Sequence, residues 1–354
     1  MKRNLLVLLA GVVLASSQAN AALASFASVS LDAPYPPFSD DTDLTGRPYV
    51  HKRDVPLDLV PDRIDVLDSP GAEIRVARED HGKVFDIDGL RFTVAQKGDH
   101  CIGTAPLANR FFAVGNGSEA YRLRFEAPCG KSLVLFFRQE TDGGQALGIW
   151  RIGFLAQKKL EAAVGLDFWK SQIRFVWPAE GDYYQWNTVH ITGGHKWDVV
   201  GHELGHAIYD QADIGVFGGG QHYIDRCYSG ALALSEGWAS FFSAWLSVDL
   251  ADPDAKFEYM VPRRAPIRFE NVPADVCMGP TSEWRVTAYF WDLIDLNRDG
   301  EALTEPFARL WAASRNARFR DMGEVARAYE RAGLDPVLLK TVWNLNFAGG
   351  FRRR

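Results

Sequence analysis

The chain has 354 residues, of which 47% are hydrophobic and 24% charged, with a formal net charge of −6 and a pI near 5.8. That length supports two domains with their own cores, and the composition excludes a chain that is disordered throughout. The acidic balance gives no electrostatic reason to expect nucleic acid or an anionic membrane as a partner.

The only long apolar run covers residues 5–15, after Lys2-Arg3 and before the small-x-small pattern Ala19-Asn20-Ala21. It predicts a signal peptide over 1–21 that is cleaved after Ala21. The run is short for a membrane span and no cysteine follows closely enough to carry a lipid, so no stable membrane insertion is expected after cleavage and the mature protein is expected to be secreted or periplasmic. Residues 22–58 hold Pro34, Pro36, Pro37, Pro48 and Pro56 among several aspartates and read as an extended, proline-rich lead-in. From 59 to 154, short alternating or aromatic and β-branched runs at 83–92, 110–114, 121–126, 132–138 and 146–154 alternate with turn signals such as Asp142-Gly143-Gly144. They predict an antiparallel β-rich module, with a structural role weighed at least equally with a binding one. The four cysteines are even in number in an exported chain, and the simplest pairing joins Cys101 with Cys129 and Cys227 with Cys277.

The remainder, 155–354, reads as one α+β catalytic domain. A helix is expected over 155–169, then strands over 171–177 and 186–192, then a helix over 198–210 that contains His202-Glu203-Leu204-Gly205-His206. Histidines four apart on a helix lie one turn above each other and can offer two imidazole nitrogens to one Zn²⁺, while the adjacent Glu203 can take a proton from a zinc-activated water. Val200, Leu204, Ala207 and Ile208 fall at helical spacing on the other face, so the segment has a face to bury. Asp210, one turn past His206, is placed to accept an imidazole N–H from behind the ligands. His190 and His195 read as structural or surface groups.

A third ligand is needed. A third histidine in H-E-x-x-H-x-x-G-x-x-H fails, because Tyr209 and Ala212 stand where Gly and His are required. Glu236 is the better candidate. It begins an apolar helix over 236–247, where Glu236, Ser240, Ser243 and Ser247 form one narrow polar stripe, and a carboxylate there is costly without a partner cation. His222, after Gly218-Gly219-Gly220, is the runner-up.

These residues carry a resemblance. His202-Glu203-Leu204-Gly205-His206 followed by Ser235-Glu236-Gly237-Trp238-Ala239 resembles the gluzincin zinc metallopeptidases of thermolysin and fungalysin type, over roughly 155–354. The resemblance implies a zincin-like domain with a helical C-terminal lobe, Zn²⁺ on His202, His206 and Glu236, Glu203 as general base, and protein or peptide substrates. It also implies a role for Asp210 behind the ligands. By analogy, a strand edge beside the metal helix would receive the substrate. Ser240 departs from the family, which often has Asp there. Residues 283–291 resemble the downstream fungalysin-like helix, with Arg285 where a histidine would fall. Arg285 and Tyr289, four apart on one face, are the expected oxyanion donors. The function expected is a secreted zinc endopeptidase. The alternatives are a catalytically weak zinc-binding interaction protein and a zinc hydrolase of non-protein amides.

Overall fold

The computed structural model describes 59–60, 63–64, 73–76, 84–87, 89–128, 131–134, 142–297, 300 and 304–347. The expected signal peptide, the proline-rich lead-in and Cys129 lie outside the described residues, so the Cys101–Cys129 pairing does as well. The chain divides into two compact units.

In the first unit the runs at 83–92, 121–126 and the described part of 132–138 fall on antiparallel strands, whereas the run at 110–114, expected in the same module, belongs to the second unit and pairs parallel with 173–176. Strands β4 (Val84–Ile87), β5 (Leu90–Lys97), β6 (His100–Pro106) and β8 (Arg122–Pro128) lie side by side in the order β4-β5-β6-β8. Gly98 takes φ +65° in the turn between β5 and β6, a conformation that glycine reaches without steric cost. Short pairs β1 (Leu59–Val60) with β2 (Arg63–Ile64), and β3 (Glu73–Val76) with β9 (Lys131–Val134), are also antiparallel.

The second unit is built on a mixed sheet in the order β11-β12-β10-β7. Its strands are β7 (Phe112–Gly115), β10 (Ile173–Val176), β11 (Tyr183–Gln185) and β12 (Thr188–His190), with β7, β10 and β12 parallel and β11 antiparallel at the edge. The β11–β12 turn places Trp186 and Asn187 at φ 48° and 58°. The run 146–154, read as a strand from its aromatic and β-branched content, is helical: α1 spans Asp142–Ala163. Ala146, Ile149, Trp150, Ile152, Ala156 and Leu160 are buried, which is the spacing of a helix face that covers a sheet. Trp150 and Phe112 meet with ring centroids 4.7 Å apart, which seats α1 on β7.

Six helices follow, α2 (Trp197–Gln211), α3 (Gly230–Ser247), α4 (Glu283–Asp292), α5 (Phe307–Ser314), α6 (Met322–Arg331) and α7 (Pro336–Phe347). Both α2 and α3 are buried almost throughout. At Gly205 a Cβ would stand 2.8 Å from Ala239 O, so α2 and α3 touch through backbone there. On the other side of α3, Phe241 stacks on Phe290 of α4, and Trp245 stacks on Phe307 of α5 at 3.8 Å. The predicted helical C-terminal lobe is present, with Tyr289 of α4 stacked on Phe347 of α7.

Candidate metal centre

The start of α2 is held from below. Asp198 is fully buried and its carboxylate accepts the backbone N–H groups of Val199, Glu258, Tyr259 and Met260 at 2.7–3.1 Å. Ser243 of α3 donates to the Asp198 carbonyl at 2.9 Å, which fixes the two helices in register. α3 itself starts one and a half turns earlier than the sequence pattern indicated, capped by Ser229 Oγ, which accepts Leu232 N–H. Glu236 therefore sits inside a packed helix and not at its frayed end.

This packing brings three side chains to one point. His202 Nε2 and His206 Nε2 are 3.2 Å apart, and Glu236 Oε2 lies 3.2 Å from each. Four atoms around a tetrahedral zinc at about 2.0–2.1 Å are separated by about 3.3 Å, so the observed triangle matches one face of that polyhedron. His202 Nδ1 is 3.0 Å from Ser240 Oγ. In the tautomer in which the ring donates to that hydroxyl, Nε2 carries the lone pair that a metal needs. Serine thus reaches the imidazole that the more usual Asp would reach.

Glu203 is close but distinct. One of its oxygens falls within 4.8 Å of the two imidazoles, so His202, Glu203 and His206 form a group able to hold a metal ion. Glu236 Oε2 is the carboxylate oxygen within hydrogen-bond distance of both imidazoles. Burial pushes the Glu203 carboxyl up to about 7, with the Glu236 charge adding to the rise. Burial also acts to raise Glu236, but the two histidines outweigh it and hold that carboxylate well below its usual range.

Three sequence expectations are corrected. Asp210 does not reach an imidazole: its carboxylate accepts the Tyr184 hydroxyl at 2.5 Å, and His206 Nδ1 has no hydrogen-bond partner. The residue lies on the exposed rim of α2, where the β11 tyrosine is the nearer donor. Arg285 is not aimed at the cluster. It is buried, and its guanidinium donates to the carbonyls of Val276, Cys277 and Asn346. Tyr289 is fully buried in aromatic packing and its hydroxyl has no hydrogen-bond partner among the described residues.

The group that does approach is His222, considered above only as a ligand. Its Nδ1 is 2.6 Å from Glu283 Oε2 and its Nε2 is 3.8 Å from Glu236 Oε1. The hydrogen bond to Glu283 raises the imidazole to about 9 against the opposing effect of burial. No local pattern signals this pair, because 61 residues separate its members. His190 and His195 lie elsewhere, stacked under Tyr183 and bonded to Gln145 respectively.

Residues 168–336 match the Mycolysin C-terminal domain. The matched span contains the whole cluster, and together with the His-Glu-His group it supports a thermolysin-like metallopeptidase. No curated protein matches the chain. The Cys227–Cys277 disulfide is present, and no described helix is long and apolar enough to cross a membrane.

Proposed function

We propose that the protein is an exported zinc endopeptidase in which His202, His206 and Glu236 hold the metal. The observation that carries this reading is the 3.2 Å triangle of lone-pair atoms with a separate buried carboxylate beside it. Zinc at such a site supplies Lewis-acid activation of a water and of the scissile carbonyl.

The chain's own residues supply the rest. Glu203 accepts one proton from the attacking water and returns it to the amide nitrogen as the C–N bond breaks, so water is added across the peptide bond with no net change in the enzyme. Burial raises the Glu203 carboxyl, which favours its taking up that proton. His222, oriented by Glu283, presents Nε2–H from the side of the cluster where a carbonyl oxygen would gather negative charge. The free edge of β11, beside α2, offers main-chain groups to an extended substrate.

The deciding experiment is Glu203→Gln, assayed on a casein-type substrate with zinc measured on the same sample. The variant should keep one zinc and the wild-type melting temperature while turnover falls about 10²–10⁴-fold, the usual contribution of a positioned general base. Near-normal cleavage by a folded, zinc-loaded Glu203→Gln protein would refute the mechanism.

A further inference from the structure

We infer that the Cys227–Cys277 disulfide is a positioning element that sets His222 against Glu283; its catalytic consequence rests on the peptidase reading above, its structural consequence does not. His222 lies in a segment without regular secondary structure that runs from the end of α2 to Ser229. It follows Gly218-Gly219-Gly220, and a Cβ at Gly219 or Gly220 would meet nothing within 4 Å. Three consecutive glycines with open space at two of them leave the backbone upstream of His222 many conformations to lose. The chain is packed as far as Gly218, through the Val216–Phe319 hydrogen bond, the rings around Phe217 and the close approach of Gly218 to Leu232, so upstream packing stops short of the imidazole by the open positions Gly219 and Gly220.

The downstream side locates the imidazole. Five residues after His222, Cys227 is bonded to Cys277, which stands six residues before Glu283. Around the bridge, Cys277 N–H donates to Asp225 O and Tyr228 N–H to Thr281 O, both at 2.9 Å, and Cys227 makes a β-bridge with Ser282. Cys277 is itself fixed, because the buried Arg285 donates to its carbonyl and to that of Val276. The arginine that the sequence offered as an oxyanion donor thus anchors the rigid end of the bridge. Side chains also restrain the loop, with Ile224 buried and Asp225 paired with Arg263 at 3.3 Å and Arg264 at 3.8 Å, but these contacts are non-covalent and the Arg263 pair, half in solvent, contributes little. The disulfide closes a loop of sequence separation 50 and is the strong constraint that joins the segment carrying His222 to the residues that begin α4.

The test is the double variant Cys227→Ser/Cys277→Ser, alone and combined with His222→Ala. Three measurements are made: zinc content, kcat and KM on a peptide, and the rate at which diethyl pyrocarbonate modifies His222, mapped by mass spectrometry with His190 and His195 as internal references. Expected are one retained zinc, a several-fold faster modification of His222, and a kcat reduced about 10- to 100-fold at similar KM, as for an ångström-scale misplacement. In the His222→Ala background, loss of the bridge should cost less than about threefold, because the two changes act through one group. An unchanged His222 modification rate, or kcat losses that simply multiply, overturns the inference. If the variant does not fold, the same readings are taken on wild-type protein whose bridge is opened natively by a trialkylphosphine and water, which yield two thiols and the phosphine oxide. If wild-type protein cleaves nothing, the peptidase reading fails, and the labelling rate alone decides whether the bridge sets His222.

Discussion

Replacing Gly205 by alanine tests whether the metal triangle depends on the closeness of α2 and α3. The side chain added would place Cβ 2.8 Å from Ala239 O and 2.9 Å from Ala239 Cα, both backbone atoms of α3 that no rotamer can move. Restoring ordinary contact needs α3 to withdraw by roughly half an ångström. Glu236 sits one turn before Ala239, so two of the three 3.2 Å edges would lengthen while the His202–His206 edge, internal to α2, stays as it is. Two effects on stability compete. Alanine gains about 1 kcal/mol over glycine in helix propensity, whereas overpacking costs about 1–3 kcal/mol, so the net change in the metal-free protein is between nil and about 2 kcal/mol of destabilisation. The effect on the metal is larger: displaced support for a ligand typically weakens metal affinity about 10- to 100-fold. The assay is competition for zinc against a chelator of known affinity, with thermal melting of the metal-free protein alongside. Gly219→Ala is the control, since its Cβ would meet nothing. A Gly205→Ala protein with wild-type zinc affinity and a raised melting temperature would show that the helix contact does not set the site.

Glu236→Ala should lose zinc binding and His222→Ala should retain it; metal analysis giving the reverse result would exchange the roles assigned here. Ser240→Ala removes the oxygen that meets His202 Nδ1 and should weaken zinc about tenfold or more, while Ser240→Asp should at least restore the affinity, both read by the same chelator competition. Asp198→Ala leaves four backbone N–H groups without their acceptor, and at roughly 1–3 kcal/mol for each unsatisfied buried group it should destabilise the protein by about 4 kcal/mol or more. Chemical denaturation measures it, and a loss below about 1 kcal/mol would mean the 258–260 segment is not held by this carboxylate.

What could be read from the sequence was what is local. His202, Glu203 and His206 share one turn of one helix, and Glu236 stood out because a carboxylate on an otherwise apolar helix demands a partner. The strands at 173–176 and 188–190 were visible as β-branched and aromatic runs. What failed was decided by partners distant in sequence. The run 146–154 has strand-like residue types, and only the buried spacing from Ala146 to Leu160 shows that it covers a sheet as a helix. Asp210 has the correct helical offset from His206, but its orientation was settled by Tyr184, a residue on another element. Arg285 was assigned by its offset along a family-like helix, yet three carbonyls from two other segments claim its guanidinium. His222 and Glu283 could not be paired in advance, because the disulfide and two strand-like hydrogen bonds bring their segments together.

The competing account of the same residues is a buried hydrogen-bond network without metal, and the charges separate the two. Such a network needs a cation for its carboxylates. Among the described residues Glu236 pairs only with histidines, and neither Glu236 nor Glu203 forms an ion pair with a lysine or arginine. His222 Nε2 lies 3.8 Å from Glu236 Oε1, but its short bond is to Glu283. That leaves two carboxylates and two imidazoles in a largely buried cluster, an arrangement whose desolvation would cost several kcal/mol per ion if nothing offset it. A protonated histidine could serve one carboxylate, at the usual charge-assisted distance of about 2.7–2.9 Å. The contacts stand instead at 3.2 Å on all three sides, longer than such a bond and equal to one another. The equal spacing fits a shared divalent ion, and the fold preserves it through the glycine contact at Ala239 and the serine behind His202.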